Sequence, residues 1–377
     1  MARSRTVFIV EEPIFHDSSQ SASLQVAEHS GVTVLTPWLP MSDGLTEGFG
    51  PATNPAIRSL LALFFNDESG RRDATVWYYT PMALGALPDN ILANIVVFDA
   101  MDELSNFLGA PQDLRDRENI LLREADLVFA GGPGLYEQRK HRNPRTYCFP
   151  SGVDAAHFSV AANSAPADIA SLPKPIVGFY GVLDERIDFD LLDALAVLRP
   201  QWSIALIGPV AKIDERTLPK RNNLHYLGMR TYLELPHYLQ QFDAAILPFA
   251  INDATKFISP TKTLEYLAGD KPIVSTPIKD VMDLYGSVVE IASAPADFVN
   301  AIERLWNEPA TTGADRRRRT RAVLARHDWN VIVAKMEQLM SDAVRERASL
   351  PVLASHPATW NDRTPRARDR TRSEVGD

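Results

Sequence analysis

The stretch Phe257–Thr276, FISPTKTLEYLAGDKPIVST, carries the most information about the fold. Ser259 is a favourable N-cap and Pro260 suits the first helical position, so a helix is predicted to begin here. Gly269 is typical of the position that ends a helix. The residues that follow, Lys271–Thr276, predict a buried strand. The stretch is therefore one helix–strand unit.

The same alternation of short apolar runs and helical patterns extends along the whole chain. In the first half the predicted strands are Val7–Val10, Val32–Leu35, Val76–Tyr79, Ile95–Phe98, Leu127–Ala130 and Tyr147–Phe149. In the second half they are Ile176–Tyr180, Ser203–Ile207, Leu224–Leu227, Ala244–Leu247, Ile273–Ser275 and Val288–Ile291. Apolar runs separated by helices are typical of parallel sheets covered on both faces. Because the series occurs twice, an α/β protein with two doubly wound domains is predicted.

The domain boundary is predicted at residues 161–174, AANSAPADIASLPK, which are rich in Ala, Ser and Pro. This gives an N-terminal domain over residues 1–160 and a C-terminal domain over 173–328. A final helix over residues 329–348 is expected to cross back to the first domain. Residues 350–377 contain few aliphatic side chains and many Arg, Asp, Thr and Pro, which predicts a disordered tail.

The composition excludes several classes of protein. The 377 residues carry a formal net charge of −9, so no nucleic-acid partner is expected. The single cysteine, Cys148, rules out an intramolecular disulfide and a multi-cysteine zinc site. The most apolar run, Ala244–Ile251, is far shorter than the ~20 residues of a membrane-spanning helix. We therefore expect a cytoplasmic protein, and contact with the inner face of the membrane stays open.

One charge in the predicted helix stands out. Lys262 lies in the first helical turn, where the helix dipole disfavours a cation. A bound anion would explain it, because the free N–H groups of that turn and the ammonium group together form a phosphate site. Glu265 lies three residues further on the same side, where its carboxylate could accept two hydrogen bonds from ribose hydroxyls. The alternative is a plain surface Lys–Glu pair on a capped helix.

The segment PTKTLEYLAGDKPIVST at residues 260–276 resembles the donor site of the retaining family 4 glycosyltransferases. VGFYGVLDERIDFDLL at 177–192 is similar to the strand, glycine turn and helix that open the donor domain of that family. FPSGVDAAHF at 149–158 is similar to the segment that ends its N-terminal domain. The resemblance covers about residues 95–335. WYYTPMAL and VVFDAMDELSNF resemble a bacterial subgroup placed with polysaccharide synthesis.

The resemblance implies the GT-B fold, in which two Rossmann-like domains face each other across a cleft. It implies transfer of a hexose from a nucleotide-diphosphate sugar, with a UDP-sugar favoured, to a saccharide or lipid-linked acceptor in cell-surface polysaccharide synthesis. Retention of configuration and independence from metal ions and cofactors are expected. A GT-B nucleotide-sugar epimerase and a catalytically silent nucleotide-sugar-binding partner protein remain as alternatives.

The resemblance also implies roles for single residues. Glu265 would hold the ribose hydroxyls, and Lys262 would hold the diphosphate together with the backbone of the turn that precedes it. Arg186 would neutralise the leaving diphosphate. The remaining donor-side residues are Gly181 in the glycine turn, Ser259, Pro260 and Thr261 before Lys262, and Met229 and Arg230 in the loop expected to pack against the base.

The sequence departs from the family pattern at one position. Family members often carry two glutamates with seven residues between them, and Glu265 matches the second. The first would fall at Phe257, which has no carboxylate. Asp253, four residues earlier, could reach the same space.

Two carboxylates of the first half are further candidates. Asp99 and Asp102 follow a predicted strand, and open α/β sheets bind ligands in the crevice at the carboxyl ends of their strands. They are candidate catalytic residues, with helix capping as the alternative. His16, which follows the first strand, is a candidate on the acceptor side. Two other motifs receive structural interpretations: AGGPGLYE as a tight turn into a helix, and Asp188 of DFD as a helix cap.

Overall fold

The computed structural model describes residues 1–349 except residues 3, 18, 42–47, 67–73, 107–109 and 160–164. The predicted tail over residues 350–377 lies outside the described residues, as does the first part of the predicted boundary.

The first half of the chain forms two four-stranded sheets. The first sheet contains β1 (Val7–Val10), β2 (Ile14–His16), β3 (Ser23–His29) and β4 (Val32–Pro40). β1 and β2 run parallel to β4, whereas β3 runs antiparallel to it. The second sheet is parallel, in the order β5 (Ala74–Tyr78), β6 (Ala93–Ala100), β7 (Leu127–Ala130) and β8 (Thr146–Cys148). The α-helices described in this half are α1 (Asn54–Phe64), α2 (Leu114–Glu124) and α3 (Pro133–Arg139).

The strand series predicted from the sequence contains the first part of β4, as Val32–Leu35, but not β3, so it lacks the hairpin that these two strands form. Its two turn residues, Ser30 and Gly31, have φ angles of 51° and 79°. Two successive positive φ angles are typical of the type I′ turn, which joins adjacent antiparallel strands. A two-residue Ser-Gly turn between β-rich runs is a hairpin signal that the parallel-sheet interpretation overlooked.

The second half forms one six-stranded parallel sheet in the order β11-β10-β9-β12-β13-β14. Its strands are β9 (Ile176–Tyr180), β10 (Ser203–Ile207), β11 (Leu224–Gly228), β12 (Ala244–Leu247), β13 (Ile273–Ser275) and β14 (Glu290–Ile291). This is the 3-2-1-4-5-6 order of a dinucleotide-binding Rossmann sheet. The first five strands confirm the sequence-based prediction closely. The sixth is shorter than predicted.

Among the described residues, eight further α-helices belong to the second half or lead into and out of it. They are α4 (Ala155–Phe158), α5 (Ala167–Ala170), α6 (Phe189–Leu198), α7 (Leu235–Leu239), α8 (Lys262–Ala268), α9 (Lys279–Tyr285), α10 (Pro295–Trp306) and α11 (Ala310–Arg326). Every residue of β9, β10, β12 and β13 is buried. Their continuous apolar sequence therefore reflects cover on both faces. Among the described helices, none is both long and apolar enough to cross a membrane.

The last described helix, α12 (Trp329–Ser349), returns to the first half of the chain. Its buried residues are Ile332, Met336, Met340 and Ala343, which cluster with Ile95, Val97, Leu127, Phe129 and Phe149 of the parallel sheet of the first half. Fully burying one such aliphatic side chain contributes about 1.5–3 kcal/mol. The helix therefore holds the two halves together by hydrophobic packing.

The segment before the predicted boundary also packs on the second half. Val153 and Phe158 are buried in the same core cluster as the six-stranded sheet. α4 packs against α7 and α8. The domain limits at residues 160 and 173 remain a prediction.

Candidate functional site

The candidate site lies where the strand order of the six-stranded sheet reverses, between β9 and β12. In open α/β sheets a crevice forms at this point, outside the carboxyl ends of the strands. The turn at Gly181 follows β9 directly, and the loop over residues 248–261 leads from β12 to α8. Both segments therefore meet at the crevice.

The Lys262 side chain lies directly over Gly181. A Cβ atom at position 181 would stand 2.1 Å from Lys262 Cε and 2.9 Å from Nζ. Gly181 has a φ angle of 144°, a conformation that side-chain-bearing residues rarely adopt. Glycine at this position thus leaves the space through which the lysine side chain runs.

The helix that carries Lys262 begins later than the sequence predicts. Its N-cap is Thr261 and no side chain caps it, so Ser259 is not the N-cap and Pro260 is not the first helical residue. The backbone N–H of Thr263 donates to the Pro260 carbonyl at 3.1 Å, a tight turn that precedes the regular helix. The predicted end at Gly269 is confirmed. Lys262 is the first helical residue, with Glu265 one turn further.

The Lys262 ammonium group lies among charges of both signs. Burial lowers the pKa of Lys262, and Arg186 lowers it further, while Glu265, Asp184 and Asp102 raise it. Lys262 forms no hydrogen bond or salt bridge with any residue that the structure describes. Lys262 and Arg186 are both cations, and Arg186 lies close enough to disfavour the charge of Lys262. This arrangement favours a bound anion between them.

Glu265 is half-buried beside aromatic side chains. Burial raises the pKa of Glu265, whereas the Tyr180 hydroxyl, Lys262 and His157 lower it. The backbone N–H of Tyr180 donates to the hydroxyl of Tyr266 at 2.9 Å, which ties the end of β9 to α8. The end of β9 is therefore joined directly to the helix that carries Glu265.

Arg186 is held by a neighbour that the sequence analysis missed. Its Nε and Nη2 lie 3.0 Å and 2.6 Å from Asp184 Oδ1 and Oδ2, a two-point contact between guanidinium and carboxylate. The backbone N–H of Arg186 also donates to Asp184 Oδ1 at 3.0 Å. An aspartate whose side chain accepts from the backbone N–H two residues further on is typical of an Asx turn. Asp184 is buried, so it fixes Arg186 at the crevice.

Asp102 reaches this group from the first half of the chain. Burial raises the pKa of Asp102, and the charges of Arg186, Arg139 and Lys262 lower it. The crevice is therefore bounded by both halves. Of the residues chosen from the sequence, the structure brings together Gly181, Arg186, Lys262, Glu265 and Asp102.

Asp99 lies at the end of β6 and is almost completely buried. Trp77 Nε1 donates to its Oδ2 at 3.2 Å, while Oδ1 has no hydrogen-bond partner. Burial raises the pKa of Asp99 to about 7, and the Trp77 bond lowers it. No helix is capped by Asp99, which lies within a strand, so the capping alternative does not hold for it.

The loop after β11, which contains Met229 and Arg230, is only partly available to a ligand. Met229 is exposed, but the Arg230 guanidinium is used within the protein. Its Nη2 lies 2.6 Å from Asp168 Oδ2, and its Nε donates to the Tyr238 hydroxyl. The Arg230 guanidinium is therefore held in place by contacts within the protein.

Two candidates lie elsewhere. The carbonyl of Asp253 accepts a hydrogen bond from Asn106 Nδ2 at 3.3 Å, which joins the loop after β12 to the first half. His16 stacks on Trp38, with ring centroids 6.2 Å apart, and its Nδ1 lies 2.8 Å from the Asp17 carbonyl. No contact joins His16 to the Lys262 group among the described residues.

The two motifs that received structural interpretations behave as expected. Gly132 precedes α3, and the backbone N–H of Gly134 donates to Asp280 Oδ1 at 2.9 Å across the two halves. Asp188 Oδ1 accepts from the backbone N–H of Leu191 at 2.8 Å and caps α6. In the part of the chain that the structure describes, no group of three or more His, Cys, Asp or Glu could hold a metal ion.

Comparison with known proteins shows which sequences this chain is similar to. Residues 174–308 match the family described as Glycosyl transferases group 1. A Bacillus subtilis (strain 168) protein named "Putative teichuronic acid biosynthesis glycosyltransferase TuaH" is 24% identical over 231 residues, covering 58% of this chain and 57% of that protein. The chain thus spans little more than half the length of this relative.

Solved structures extend the likeness across both halves. HepE of Anabaena, in complex with UDP, has a TM-score of 0.57 at 19% identity and covers 76% of this chain and 82% of its own. Sucrose-phosphate synthase of Thermosynechococcus elongatus reaches 0.62 at 16% identity, with 89% of each chain covered. A UDP-forming trehalose-phosphate synthase of Burkholderia xenovorans reaches 0.62 at 11% identity, covering 92% of this chain and all of its own.

The chain has the GT-B fold. In this GT-B chain the matched family segment begins just before β9 and ends just after α10, so it contains Gly181, Arg186, Lys262 and Glu265.

Proposed function

We propose that this protein is a retaining glycosyltransferase that transfers a hexose from a UDP-sugar to a saccharide or lipid-linked acceptor in cell-surface polysaccharide synthesis. The observation that carries the proposal is the position of the Lys262 side chain over Gly181, beside Arg186, at the reversal of the strand order. The family match over residues 174–308 supports it. So does the name of the Bacillus relative, which refers to teichuronic acid biosynthesis.

The chemistry assigned to the site is charge stabilisation. The bond between the anomeric carbon of the sugar and the diphosphate oxygen breaks, and its electron pair goes to the diphosphate. Lys262 and Arg186 stabilise the negative charge that builds up there. The acceptor hydroxyl oxygen bonds to the anomeric carbon on the face that the diphosphate leaves, and its proton passes to a diphosphate oxygen.

The remaining residues bind and orient the substrates. Glu265 accepts hydrogen bonds from the ribose hydroxyls, and Asp184 keeps Arg186 aimed at the diphosphate. Asp102 and Asp99 belong to the acceptor side, in the first half of the chain. Closure of the two halves would exclude water and so limit hydrolysis of the donor. We place the reaction in the cytoplasm, at the inner face of the membrane when the acceptor is lipid-linked.

A ligand screen followed by a turnover assay tests the proposal. Thermal unfolding is measured with UDP, GDP, ADP and their glucose conjugates, because a ligand at 100 times its dissociation constant adds about 2.7 kcal/mol to stability. We expect UDP and UDP-sugars to raise the melting temperature, and UDP-sugars to release UDP slowly without an acceptor. Stabilisation by none of these nucleotides would contradict the donor site. Conversion of the sugar without release of UDP would instead indicate an epimerase.

A further inference from the structure

Two aromatic side chains form a stacked pair beside the candidate site. The rings of His157 and Tyr232 lie 4.3 Å apart between centroids at an interplanar angle of 12°. The Phe158 ring packs edge-on against both, at 4.9 Å and 5.5 Å. His157 Nε2 lies 3.0 Å from the Tyr232 carbonyl oxygen. Packing against Phe158 and the polar contact between His157 and the Tyr232 carbonyl therefore hold the stack in place.

The Tyr232 ring of this stack remains accessible to solvent. Tyr232 is 51% exposed, although it follows directly on the loop after β11 at the carboxyl ends of the strands. A half-exposed aromatic ring supported by a second ring offers a rigid flat face to a ligand. Stacking on such a face suits nucleobases, since every base has a π face.

The stack lies next to the carboxylate assigned to the ribose. α4, which carries His157, packs against α8, which carries Glu265. The backbone N–H of His157 donates to Asp154 Oδ1 at 3.1 Å, which sets the start of α4. Burial raises the pKa of Tyr232, and the nearby negative charge of Glu265 raises it further. The two side chains are therefore neighbours. A ribose held at Glu265 would therefore carry its base toward Tyr232.

We propose that Tyr232, backed by His157, is the platform on which the base of the nucleotide donor stacks. This inference rests on the proposed function, because it takes the ribose to lie at Glu265. The platform explains why the loop after β11 can bind a base although the Arg230 guanidinium is engaged by Asp168. Since stacking tolerates any base, the platform contributes affinity for nucleotides in general, and edge contacts of the loop backbone must select among them.

The test compares ligands with and without a base. The affinities of UDP, ADP and pyrophosphate are measured by titration calorimetry for the parent protein and for Tyr232→Ala, Tyr232→Leu and Tyr232→Phe. Leu233→Ala is the matched control, since Leu233 is the exposed neighbour in the same loop. Loss of the platform should weaken UDP and ADP by about 5- to 150-fold, while Tyr232→Phe and Leu233→Ala stay within about twofold of the parent.

Pyrophosphate separates stacking from structural damage, because it has no base. Unchanged pyrophosphate affinity in Tyr232→Ala or Tyr232→Leu, together with weakened UDP, is the expected result. Parental affinity of both variants for UDP would overturn the platform while leaving the donor site intact. An equal loss for UDP and pyrophosphate would overturn it as well, by showing a structural role. A parent protein that binds neither ligand would overturn the proposed function itself.

Discussion

The Lys262 ammonium group and the α-carbon of Gly181 occupy adjacent space at the carboxyl end of β9. A Cβ atom on Gly181 would lie 2.1 Å from Lys262 Cε and 2.9 Å from Nζ. The glycine turn after β9 and the first residue of α8 are therefore one structural unit. Any side chain at position 181 has to displace the lysine or be displaced by it.

Gly181→Ala should consequently reduce turnover. The added methyl group pushes Lys262 out of position and also strains the backbone, because φ is 144° there. We expect kcat with the best UDP-sugar to fall by roughly 10²–10³, as when one group that stabilises the transition state is removed. Steady-state kinetics at saturating donor measures the effect.

Gly31→Ala is the matched control for this substitution. Gly31 also has a positive φ angle, 79°, but an added Cβ meets nothing within 4 Å. This variant should lose some stability and keep its turnover. A Gly181→Ala protein with parental kcat would show that the position of Lys262 is unimportant for the reaction.

Turnover should survive chelation of divalent cations. In this account the positive charge at the diphosphate comes from Lys262 and from Arg186, which Asp184 holds in place. Sugar transfer is measured before and after treatment with EDTA, with added Mg²⁺ or Mn²⁺ as the control. Complete loss of transfer in EDTA, restored by either ion, would mean that a metal ion stabilises the leaving group.

The burial of the Asp280 carboxyl group should make the stability of the protein depend on pH. Burial raises the pKa of Asp280 from 3.8 to about 6, while the Gly134 N–H lowers it. Because the pKa is raised in the folded state, the stability contributed by this group is fully present below pH 3.8 and is lost as the pH rises through about 6. Asn at this position accepts the same hydrogen bond and does not ionise.

Asp280→Asn should therefore gain stability relative to the parent as the pH rises from about 4 to about 7. Urea unfolding of both proteins at several pH values gives the difference in the free energy of unfolding. Asp283→Asn, an exposed position on the same helix, is the control and should show no such trend. A constant difference between Asp280→Asn and the parent across this range would contradict the assignment.

The sequence predicts the second half of the fold well for a physical reason. β9, β10, β12 and β13 are buried on both faces, so their sequences are continuously apolar and easy to delimit. β3 is almost entirely exposed, so its sequence carries no buried apolar run that would predict a strand, whereas the more buried β4 was predicted in part. In α8 the motif fixes the end of the helix but not its start, because tight turns precede Lys262.

Contacts between distant parts of the chain are encoded by no local sequence pattern. Asp280 and Gly134 meet across 146 residues, and His157 meets the Tyr232 carbonyl across 75. The sequence shows the three-residue spacing of Lys262 and Glu265, but a surface ion pair has the same spacing. Only the position of Lys262 over Gly181, beside Arg186, distinguishes the two.

The kinetics of Glu265→Ala and Lys262→Ala, measured with the best UDP-sugar, test the central claim most directly. A carboxylate on ribose hydroxyls acts equally in the ground state and the transition state, so Glu265→Ala should raise KM and leave kcat largely unchanged. Lys262→Ala should chiefly lower kcat, by roughly 10²–10³, because the charge on the leaving diphosphate grows as the bond breaks. Glu137 and Lys140, a surface pair at the same three-residue spacing, provide the matched controls, and their alanine variants should behave like the parent. Such a pair contributes only about 0.2–0.5 kcal/mol. Parental KM and kcat in both Glu265→Ala and Lys262→Ala would contradict the donor-site assignment.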